Sequence, residues 1–344
     1  MKATWEKRRL HFRFTAITSR ESMREKDTYY IKVWHETDPE IFGVGEAALF
    51  RGLSCDDCSG YESKLDEVCR AVETFSVDLH ESLNDWPSIR FGLETALRDL
   101  SQGGRRQLFD SSWSAGETGL LINGLVWMGD RDTMSRRLEA KLAEGFSCIK
   151  LKIGGIDFSE ELKLLESVRS VAPGVELRLD ANGAFSPAEA LDRLESLSRY
   201  DIHSIEQPIR QGQWSEMAAI CRHSPVPVAL DEELIGINSD GKRRQMLDTV
   251  APAYIILKPT LIGGWRAADE WIAAARDRGI GWWATSALES DIGLNAIAQW
   301  VATYEPSMPQ GLGTGRLFTD NIPSPLALRG DRLWTDPQRR WGSL

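Results

Sequence analysis

From about residue 120 to residue 315 the chain alternates between two kinds of segment. Short apolar runs end in polar or glycine-rich positions, and longer amphipathic runs rich in Ala, Leu, Glu and Arg separate them. The apolar runs follow at intervals of about 25 residues: LINGLV (121–126), CIKLKIG (148–154), VELRLDANG (175–183), HSIEQPI (203–209), VPVALDEE (226–233), YIILKP (254–259), GWWATSALES (281–290) and QGLGTG (310–315). Strands that alternate with helices at this spacing form a parallel sheet, and eight such units predict a closed (β/α)₈-type barrel over 119–315.

The segments on either side of this barrel have a different pattern. In residues 1–118, LHFRFTAIT, YYIKVWHET and FGVGEAAL are typical of antiparallel strands, and helix-like stretches follow them, which predicts an α+β domain. The eighth apolar run is followed by little helix, so we expect imperfect closure of the barrel. The tail over 316–344 lacks the barrel pattern, and we expect it to return to the first domain.

Composition narrows the class of partner. A length of 344 residues suits two domains or one large barrel with an added part. The net charge of −10 argues against nucleic acid or an anionic membrane surface as the main partner, but it allows a small anionic substrate in a locally positive site. No window is apolar enough for a signal peptide or a membrane span, so we expect a cytoplasmic protein, with the oligomeric state left open.

The five cysteines include one CxxC pair, Cys55 and Cys58. A zinc or redox site would need a second pair or a histidine at ligand spacing, which Cys148 and Cys221 do not obviously supply. Reduced thiols are therefore the favoured interpretation.

Charged and polar residues recur at the ends of the predicted strands, where barrel enzymes carry their active sites. They come from six consecutive strands: Lys150, Lys152, Arg178, Asp180, Asn182, Glu206, Asp231, Glu232, Glu233, Lys258, Thr285, Ser286 and Glu289. A single KxK or DEE is usually a solvated strand face or a turn. Their recurrence at the barrel period, always at the same end of a strand, makes coincidence a poor explanation.

Three of these residues, Asp180, Glu206 and Asp231, come from three successive strands at the same height. Three converging carboxylates repel one another and need a cation, and all-oxygen ligation suits Mg²⁺ or Mn²⁺. Lys152 and Lys258 flank this set, one strand before it and one strand after it. They are therefore expected to reach a metal-bound substrate from opposite sides.

This arrangement predicts proton abstraction next to a carboxylate. A cation would stabilise the enediolate, and a neutral lysine beside it would take the proton. Side chains two apart on a strand point the same way, so Lys150 and Lys152 are neighbours. Like charges disfavour protonation, so we expect Lys150 to help keep Lys152 neutral as the base.

The motifs IKLKIG, LDANG, IEQP, ALDE and LKP resemble the enolase superfamily, and within it the muconate cycloisomerase-like subgroup. Enzymes of this superfamily pair a Lys or His base with Mg²⁺. The resemblance implies a modified (β/α)₇β barrel with an α+β capping domain, Lys152 and Lys258 facing each other, and metal ligands at Asp180, Glu206 and Asp231. Mandelate racemase-like members use a His base near strand seven, and none of the five histidines here lies at a predicted strand tip.

Strands seven and eight distinguish families within the subgroup. Dipeptide epimerases carry an acidic DxD-type motif at strand seven, whereas this chain has TSALES (285–290). Together with INGLVWMG (122–129), LKPTLIGG (257–264) and GLGTGRLFTDN (311–321), it resembles the o-succinylbenzoate synthases. The implied reaction is the dehydration of 2-succinyl-6-hydroxy-2,4-cyclohexadiene-1-carboxylate to 2-succinylbenzoate in menaquinone biosynthesis. Lys152 would be the base and Lys258 a cation near the ring.

The same resemblance implies further site residues. The succinyl end of the substrate would be bound by Thr285, Ser286, Gly311, Leu312 and Gly313. Supporting roles would fall to Lys150, Asn182, Arg178 and Glu232. Arg178 is expected in the layer below the metal, where either a functional role or barrel packing explains it equally well. Cap loops near Arg20–Arg24 and Phe50–Leu53 are expected to close the site.

Other functions remain open on the sequence. An N-succinylamino acid racemase would use the same two lysines, and a cycloisomerase or another epimerase of the subgroup is a more distant alternative. A Schiff-base aldolase with Lys258 as nucleophile would leave the three carboxylates unexplained. A binding protein without catalysis would have no need for this set of lysines and carboxylates.

Overall fold

The computed structural model describes residues 1–17 and 22–344. The chain begins with a three-stranded antiparallel sheet in the order β1-β2-β3, formed by β1 (Lys2–Ile17), β2 (Ser22–His35) and β3 (Asp38–Ala47). Four helices follow: α1 (Tyr61–Arg70), α2 (Val72–Val77), α3 (Leu79–Ser82) and α4 (Pro87–Ser101). This is the α+β unit that the sequence predicts, and we call it the cap.

The cap has its own apolar core between sheet and helices. Alternate residues of β2, namely Tyr29, Ile31 and Val33, are fully buried there, as the two-residue period of a strand requires. Helix α4 lies very close to β3. A Cβ atom at Gly43 or Gly45 would stand 1.9 Å from a backbone oxygen of α4, so this close packing depends on glycine.

A short strand, β4 (Leu120–Leu121), leads into a seven-stranded parallel sheet in the order β11-β10-β9-β8-β7-β6-β5. Its strands are β5 (Gly124–Val126), β6 (Cys148–Lys152), β7 (Glu176–Asp180), β8 (Ile202–Glu206), β9 (Val228–Leu230), β10 (Tyr254–Leu257) and β11 (Gly281–Ala284). Seven of the eight predicted strands are therefore confirmed, with shorter bounds than the apolar runs suggested.

Helices connect these strands as the alternating pattern predicts. They are α5 (Arg131–Ala143), α6 (Phe158–Val171), α7 (Pro187–Ser198), α8 (Trp214–His223), α9 (Asp240–Val250), α10 (Pro259–Ile262), α11 (Gly264–Arg276) and α12 (Asp291–Ala302). Several begin at a side-chain cap; for example, the Asp130 carboxylate accepts a hydrogen bond from the Thr133 N–H. The apolar residues of β6, Ile149 and Leu151, belong to the core shared with these helices, whereas Lys150 and Lys152 point to the other face.

The eighth apolar run closes the barrel without forming a full strand. Gln310 bridges Ile122 beside β5, and Gly311 bridges Thr285 beside β11, both in parallel orientation. The Gly311 N–H donates to the Ala284 carbonyl at 2.8 Å, and the Gln310 N–H donates to the Leu121 carbonyl at 2.9 Å. The predicted imperfect closure and the (β/α)₇β architecture thus take the form of single bridges.

The C-terminal segment contacts both units. Phe318 bridges Phe12 of β1, and the Arg13 N–H donates to the Leu317 carbonyl at 2.8 Å. Further on, β12 (Leu326–Arg329) and β13 (Arg332–Thr335) form a hairpin whose second strand pairs with β4. Among the described residues, none of the helices is both long and apolar enough to span a membrane.

Candidate active site

A cavity of about 270 Å³ lies between the carboxyl ends of the barrel strands and the cap. Its walls combine charged, neutral polar and apolar side chains from both units. The cap contributes Met23, Phe50, Gly52 and Leu53. The barrel contributes Asn123, Leu125, Trp127, Lys150, Lys152, Asp180, Asn182, Glu232, Lys258, Leu261, Thr285, Ser286, Ala287, Leu288, Gly311, Gly313 and Thr314. The position at the strand ends is the one that the sequence predicts.

Lys150 is a buried counter-ion of two carboxylates. Its Nζ lies 2.5 Å from Glu206 Oε2 and 2.9 Å from Asp180 Oδ2. Burial alone would lower the pKa of Lys150, but the negative charges of Asp180 and Glu206 outweigh burial and raise that pKa well above its usual range. Lys150 is therefore held as an ammonium ion. Its predicted influence on the protonation of Lys152 stays a prediction.

Lys152 lines the cavity, as Lys150 and Lys258 do, and it has two hydrogen-bond partners. Its Nζ donates to Asp180 Oδ2 at 2.8 Å and to Asn182 Oδ1 at 2.7 Å. The parallel register pairs Lys152 with Asp180, which explains why these two side chains meet. The ammonium also stands 5.7 Å from the centre of the Trp127 ring. Lys152 is thus fixed from two sides while it lines the cavity.

Lys258 occupies the opposite wall. It follows β10 directly, and β10 and β6 are separated by three strands of the sheet. Its Nζ bonds to Asp231 Oδ2. Burial lowers the pKa of Lys258, but Asp231 and Glu206 outweigh this effect, so the pKa is raised. A raised pKa suits a permanent cation better than a base at neutral pH, in agreement with the role expected for Lys258.

The three predicted metal ligands are buried on successive strands. Asp180 pairs with Glu206 in register, Glu206 pairs with Ala229, and Asp231 lies two residues beyond on the same face. Burial raises the pKa of Asp180, but Lys150 and Lys152 outweigh it and hold that pKa well below its usual range.

Glu206 is the least compensated of the three carboxylates. Burial, followed by the charge of Asp180, raises its pKa well above the usual value. Its Oε1 atom is buried and has no hydrogen-bond partner among the residues that the structure describes. Three neighbouring carboxylates, one of them with a raised pKa despite its contact with Lys150, are a donor set that suits a hard divalent cation.

Lysines hold the carboxylate oxygens in this structure. Within 1–17 and 22–344, no three or more His, Cys, Asp or Glu side chains form a group that could hold a metal ion. The donor chemistry fits a divalent cation, whereas the present side-chain positions satisfy lysines. Ligation by Asp180, Glu206 and Asp231 stays a prediction.

Asn182 and Glu232, which the sequence predicts as supporting residues, form a row of hydrogen bonds with Lys152, the predicted base. Asn182 has a left-handed backbone with φ of 45°, which Asn tolerates better than most residues. Its Nδ2 donates to Glu232 Oε1 at 3.0 Å, while its Oδ1 accepts from Lys152. Both residues line the cavity. These hydrogen bonds orient the Lys152 side chain from the side of β7.

Arg178 lies inside the barrel, one strand layer below Asp180. Its Nε donates to Glu176 Oε1 at 2.8 Å, and its Nη1 donates to the Pro309 carbonyl at 2.8 Å. The guanidinium stands 4.3 Å from the centre of the Trp283 ring. It is absent from the cavity wall. Of the two roles expected for Arg178, these contacts favour barrel packing.

Four of the five predicted substrate-binding residues line the cavity: Thr285, Ser286, Gly311 and Gly313. The side chain of Leu312 is fully buried in the barrel core and is not part of the cavity wall, so binding by Leu312, which would be through its backbone, stays a prediction. The alternation of an extended segment turns it away from the face that its neighbours share. Gly311 is required where it is, since a Cβ there would stand 2.3 Å from Thr285 Oγ1.

Glu289, the charged residue predicted near the end of the seventh strand, lies behind the cavity wall and does not line the cavity. It is fully buried, and it accepts hydrogen bonds from Ser286 Oγ and Thr260 Oγ1. The Ser286 hydroxyl is therefore already engaged as a donor.

Sequence reasoning missed most of the apolar wall. Leu125 and Trp127 lie at the end of β5 and line the cavity. Charged and polar residues at strand ends are the ones predicted from the sequence. Including aromatic residues at strand ends would have identified Trp127. Of the predicted cap loops, Phe50, Gly52 and Leu53 line the cavity, as does Met23, whereas Arg20 lies outside the described residues. The cysteines of the described chain are free thiols.

Residues 133–334 match the family model described as "Enolase C-terminal domain-like". The chain is 46% identical to the o-succinylbenzoate synthase of Desulfotalea psychrophila (strain LSv54 / DSM 12343), over 97% of this chain and 98% of that protein. The crystal structure of MenC from Desulfotalea psychrophila LSv54 superposes with a TM-score of 0.85 at 44% identity, covering 97% of this chain and 99% of that one. An N-succinylamino acid racemase of Thermus thermophilus is 34% identical over 47% of this chain and 42% of its own length.

Proposed function

This chain belongs to the o-succinylbenzoate synthase family of the enolase superfamily, and we propose that it dehydrates 2-succinyl-6-hydroxy-2,4-cyclohexadiene-1-carboxylate to 2-succinylbenzoate. The observation that carries the proposal is the pair of lysines, Lys152 and Lys258, on opposite walls of one cavity. We place the reaction in menaquinone biosynthesis, in the cytoplasm.

Lys152 is the proposed base. It lines the cavity, and its partners Asp180 and Asn182 hold its Nζ in a fixed direction. In the neutral form Lys152 would take the proton on the ring carbon that carries the carboxylate. The electron pair released there forms the new ring double bond as hydroxide leaves the neighbouring carbon. One proton and one hydroxide leave in total, so the product is the aromatic ring plus water.

Lys258 would act by its charge. Its raised pKa keeps it protonated, and its position across the cavity from Lys152 places a positive charge on the other face of the bound ring. Negative charge develops on the substrate carboxylate as the proton leaves, so a fixed cation stabilises the transition state more than the bound substrate.

Membership of the superfamily implies a divalent metal ion, and we propose Mg²⁺, with Mn²⁺ able to replace it. Asp180, Glu206 and Asp231 would hold it. When bound, such an ion supplies positive charge to the substrate carboxylate. Lys150 would favour the ionised forms of Asp180 and Glu206, since it contacts both.

The far end of the cavity suits an uncharged grip on the succinyl chain. Thr285, Ser286, Gly311 and Gly313 line it, together with apolar side chains from cap and barrel. An ammonium-bearing substrate would find no carboxylate among these four residues. The wall therefore supports a succinyl substrate over a dipeptide with a free amino group.

N-succinylamino acid racemisation is the second candidate. It would use the same two lysines, and a relative of that name matches part of the chain. The test is to measure kcat/KM for the cyclohexadiene carboxylate, by loss of diene absorbance, and for N-succinylamino acids, by deuterium uptake from solvent. We expect the dehydration to be faster by roughly 10²-fold or more. Racemisation that equals or exceeds dehydration would make the second candidate the main function.

A further inference from the structure

The cap and the barrel each supply part of the cavity wall, and one buried lysine connects the two parts. Lys26 lies on β2 of the cap with only 8% of its surface exposed, which is rare for a lysine. Its Nζ donates to the Leu288 carbonyl of the barrel at 3.0 Å and, more weakly, to the Ala48 carbonyl of the cap at 3.4 Å. Its ammonium group also stands 5.9 Å from the centre of the Phe50 ring.

The barrel partner of Lys26 is a residue under backbone strain. Leu288 has φ of 64°, a left-handed conformation that a branched side chain rarely adopts. Its N–H donates to Ser286 Oγ at 3.0 Å, and its side chain lines the cavity next to Ala287. Such a conformation persists only where the surroundings hold it, and the hydrogen bond from Lys26 to the Leu288 carbonyl is one of the contacts that hold it.

Two buried carboxylates, Glu46 and Glu289, lie near enough to Lys26 to favour its charged form. Glu46 of the cap is fully buried and accepts from Ser290 N at 2.8 Å and from Gly293 N at 2.8 Å, so it fastens the start of α12. Glu289 of the barrel is also fully buried. Burial lowers the pKa of Lys26 below its usual range, and the negative charges of Glu46 and Glu289 offset only part of this effect. Glu46 of the cap therefore fixes the segment that follows β11, the seventh strand of the barrel.

We propose that Lys26 is a positioning residue for substrate binding: by holding the Leu288 carbonyl and the start of the Phe50 loop together, it sets the wall that receives the succinyl end. Lys26 does not line the cavity itself, so it acts through Leu288 and Phe50. This inference rests on the proposed function, because the substrate whose binding is measured is that of the dehydration.

The test compares Lys26→Met, which keeps the length of the side chain but removes its donors, with Lys32→Met as a matched control on the same strand. Lys32 is half-buried and stands 5.5 Å from the centre of the Phe42 ring, away from the cavity wall. In Lys26→Met we expect KM to rise roughly tenfold or more, because a buried carbonyl loses its hydrogen-bond donor, while kcat stays within about threefold. Lys26→Arg should recover part of the loss, and Lys32→Met should leave both constants unchanged.

A double-mutant cycle separates positioning from a merely structural role. Leu288→Gly removes the side chain from the wall and relieves the left-handed strain, so it should fold and should also raise KM. In the Leu288→Gly background, Lys26→Met should raise KM little further, since the Leu288 side chain is no longer part of the cavity wall. If Lys26→Met does not fold alone, the KM of Leu288→Gly decides, and a normal value there overturns the proposal.

A KM within twofold of the wild-type value in folded Lys26→Met, or full additivity in the double mutant, also contradicts the inference. These outcomes are distinct from failure of the proposed function, in which the wild-type protein itself shows no turnover.

Discussion

At the scale of residues, the notable feature is that two lysines of one strand have different tasks. Both line the cavity, but Lys150 bonds to Asp180 and Glu206, whereas Lys152 bonds to Asp180 and Asn182. Both face the same way because they are two residues apart on β6. A third lysine, Lys258, stands across the cavity with Asp231. These partners support the proposed division into counter-ion, base and electrostatic cation.

The role of Lys258 leads to a prediction about charge. Lys258→Ala should lower kcat by roughly 10²- to 10³-fold, because a fixed charge at the developing anion is lost. Lys258→Arg keeps the charge without offering a base, and it should recover at least about tenfold of that loss. The exposed Lys242→Ala on α9 is the control and should behave as wild type. Equal inactivity of the Ala and Arg variants in steady-state kinetics would argue for a base or a strict shape requirement instead.

At the scale of elements, two helix ends fasten the cap to the barrel. Glu94 of α4 accepts from the Trp265 N–H at 2.7 Å, at the first turn of α11. Arg90, one turn earlier on α4, donates through Nε to the Gly263 carbonyl at 2.6 Å. The first N–H groups of a helix have no partner within the helix, so Glu94 supports α11 from the other unit by accepting from them. The active-site cavity between the two units depends on this attachment.

Glu94 also makes stability depend on pH. Burial raises its pKa from about 4.5 to about 7, so the folded protein binds this proton more tightly than the unfolded chain. The free energy of unfolding should therefore decrease as pH rises from about 4.5 to about 7, by up to about 3 kcal/mol from this group, and then level off. Denaturant unfolding at several pH values should show this decrease in wild type and a smaller one in Glu94→Gln.

The exposed Glu216→Gln on α8 serves as the control and should keep the wild-type dependence. An identical slope in Glu94→Gln and in wild type would show that Glu94 is not the responsible group.

How well the sequence predicts the structure differs from element to element. Regular strands such as β6 were predictable, because apolar and charged residues alternate there and register brings Lys152 beside Asp180. The form of the eighth strand was not predictable, because its two bridges join it to strands that are distant in the sequence, and one of them requires the close approach of Gly311 to Thr285. The contact between Lys26 and Leu288 joins residues 262 positions apart, and no local pattern reports it.

At the scale of the whole molecule, the site belongs to neither unit alone. The barrel supplies the charged groups, while Met23, Phe50 and Leu53 of the cap cover them with apolar surface. A cavity shielded in this way strengthens electrostatic interactions within it. The arrangement explains why an acidic protein with net charge −10 can bind an anionic substrate, since three lysines face the same cavity.

Removal of the divalent metal should affect activity and stability together. Treatment with EDTA should abolish turnover, and Mg²⁺ or Mn²⁺ should restore it. At 100 times its dissociation constant, Mg²⁺ should also stabilise the folded protein by about 2.7 kcal/mol in thermal unfolding. Asp231→Asn should lose most of this stabilisation, while the exposed Asp192→Asn, on α7, should keep it. Activity that survives exhaustive chelation would contradict the metal assignment.

The most direct test of the central claim is turnover of 2-succinyl-6-hydroxy-2,4-cyclohexadiene-1-carboxylate with Mg²⁺ by wild type and Lys152→Ala, followed through the diene absorbance. The exposed Lys163→Ala on α6 is the matched control. The account predicts rapid loss of absorbance by wild type and control, and a kcat lower by roughly 10²- to 10⁴-fold in Lys152→Ala with substrate binding retained. Near-normal turnover by Lys152→Ala, or none by folded wild-type protein that binds Mg²⁺, would contradict it.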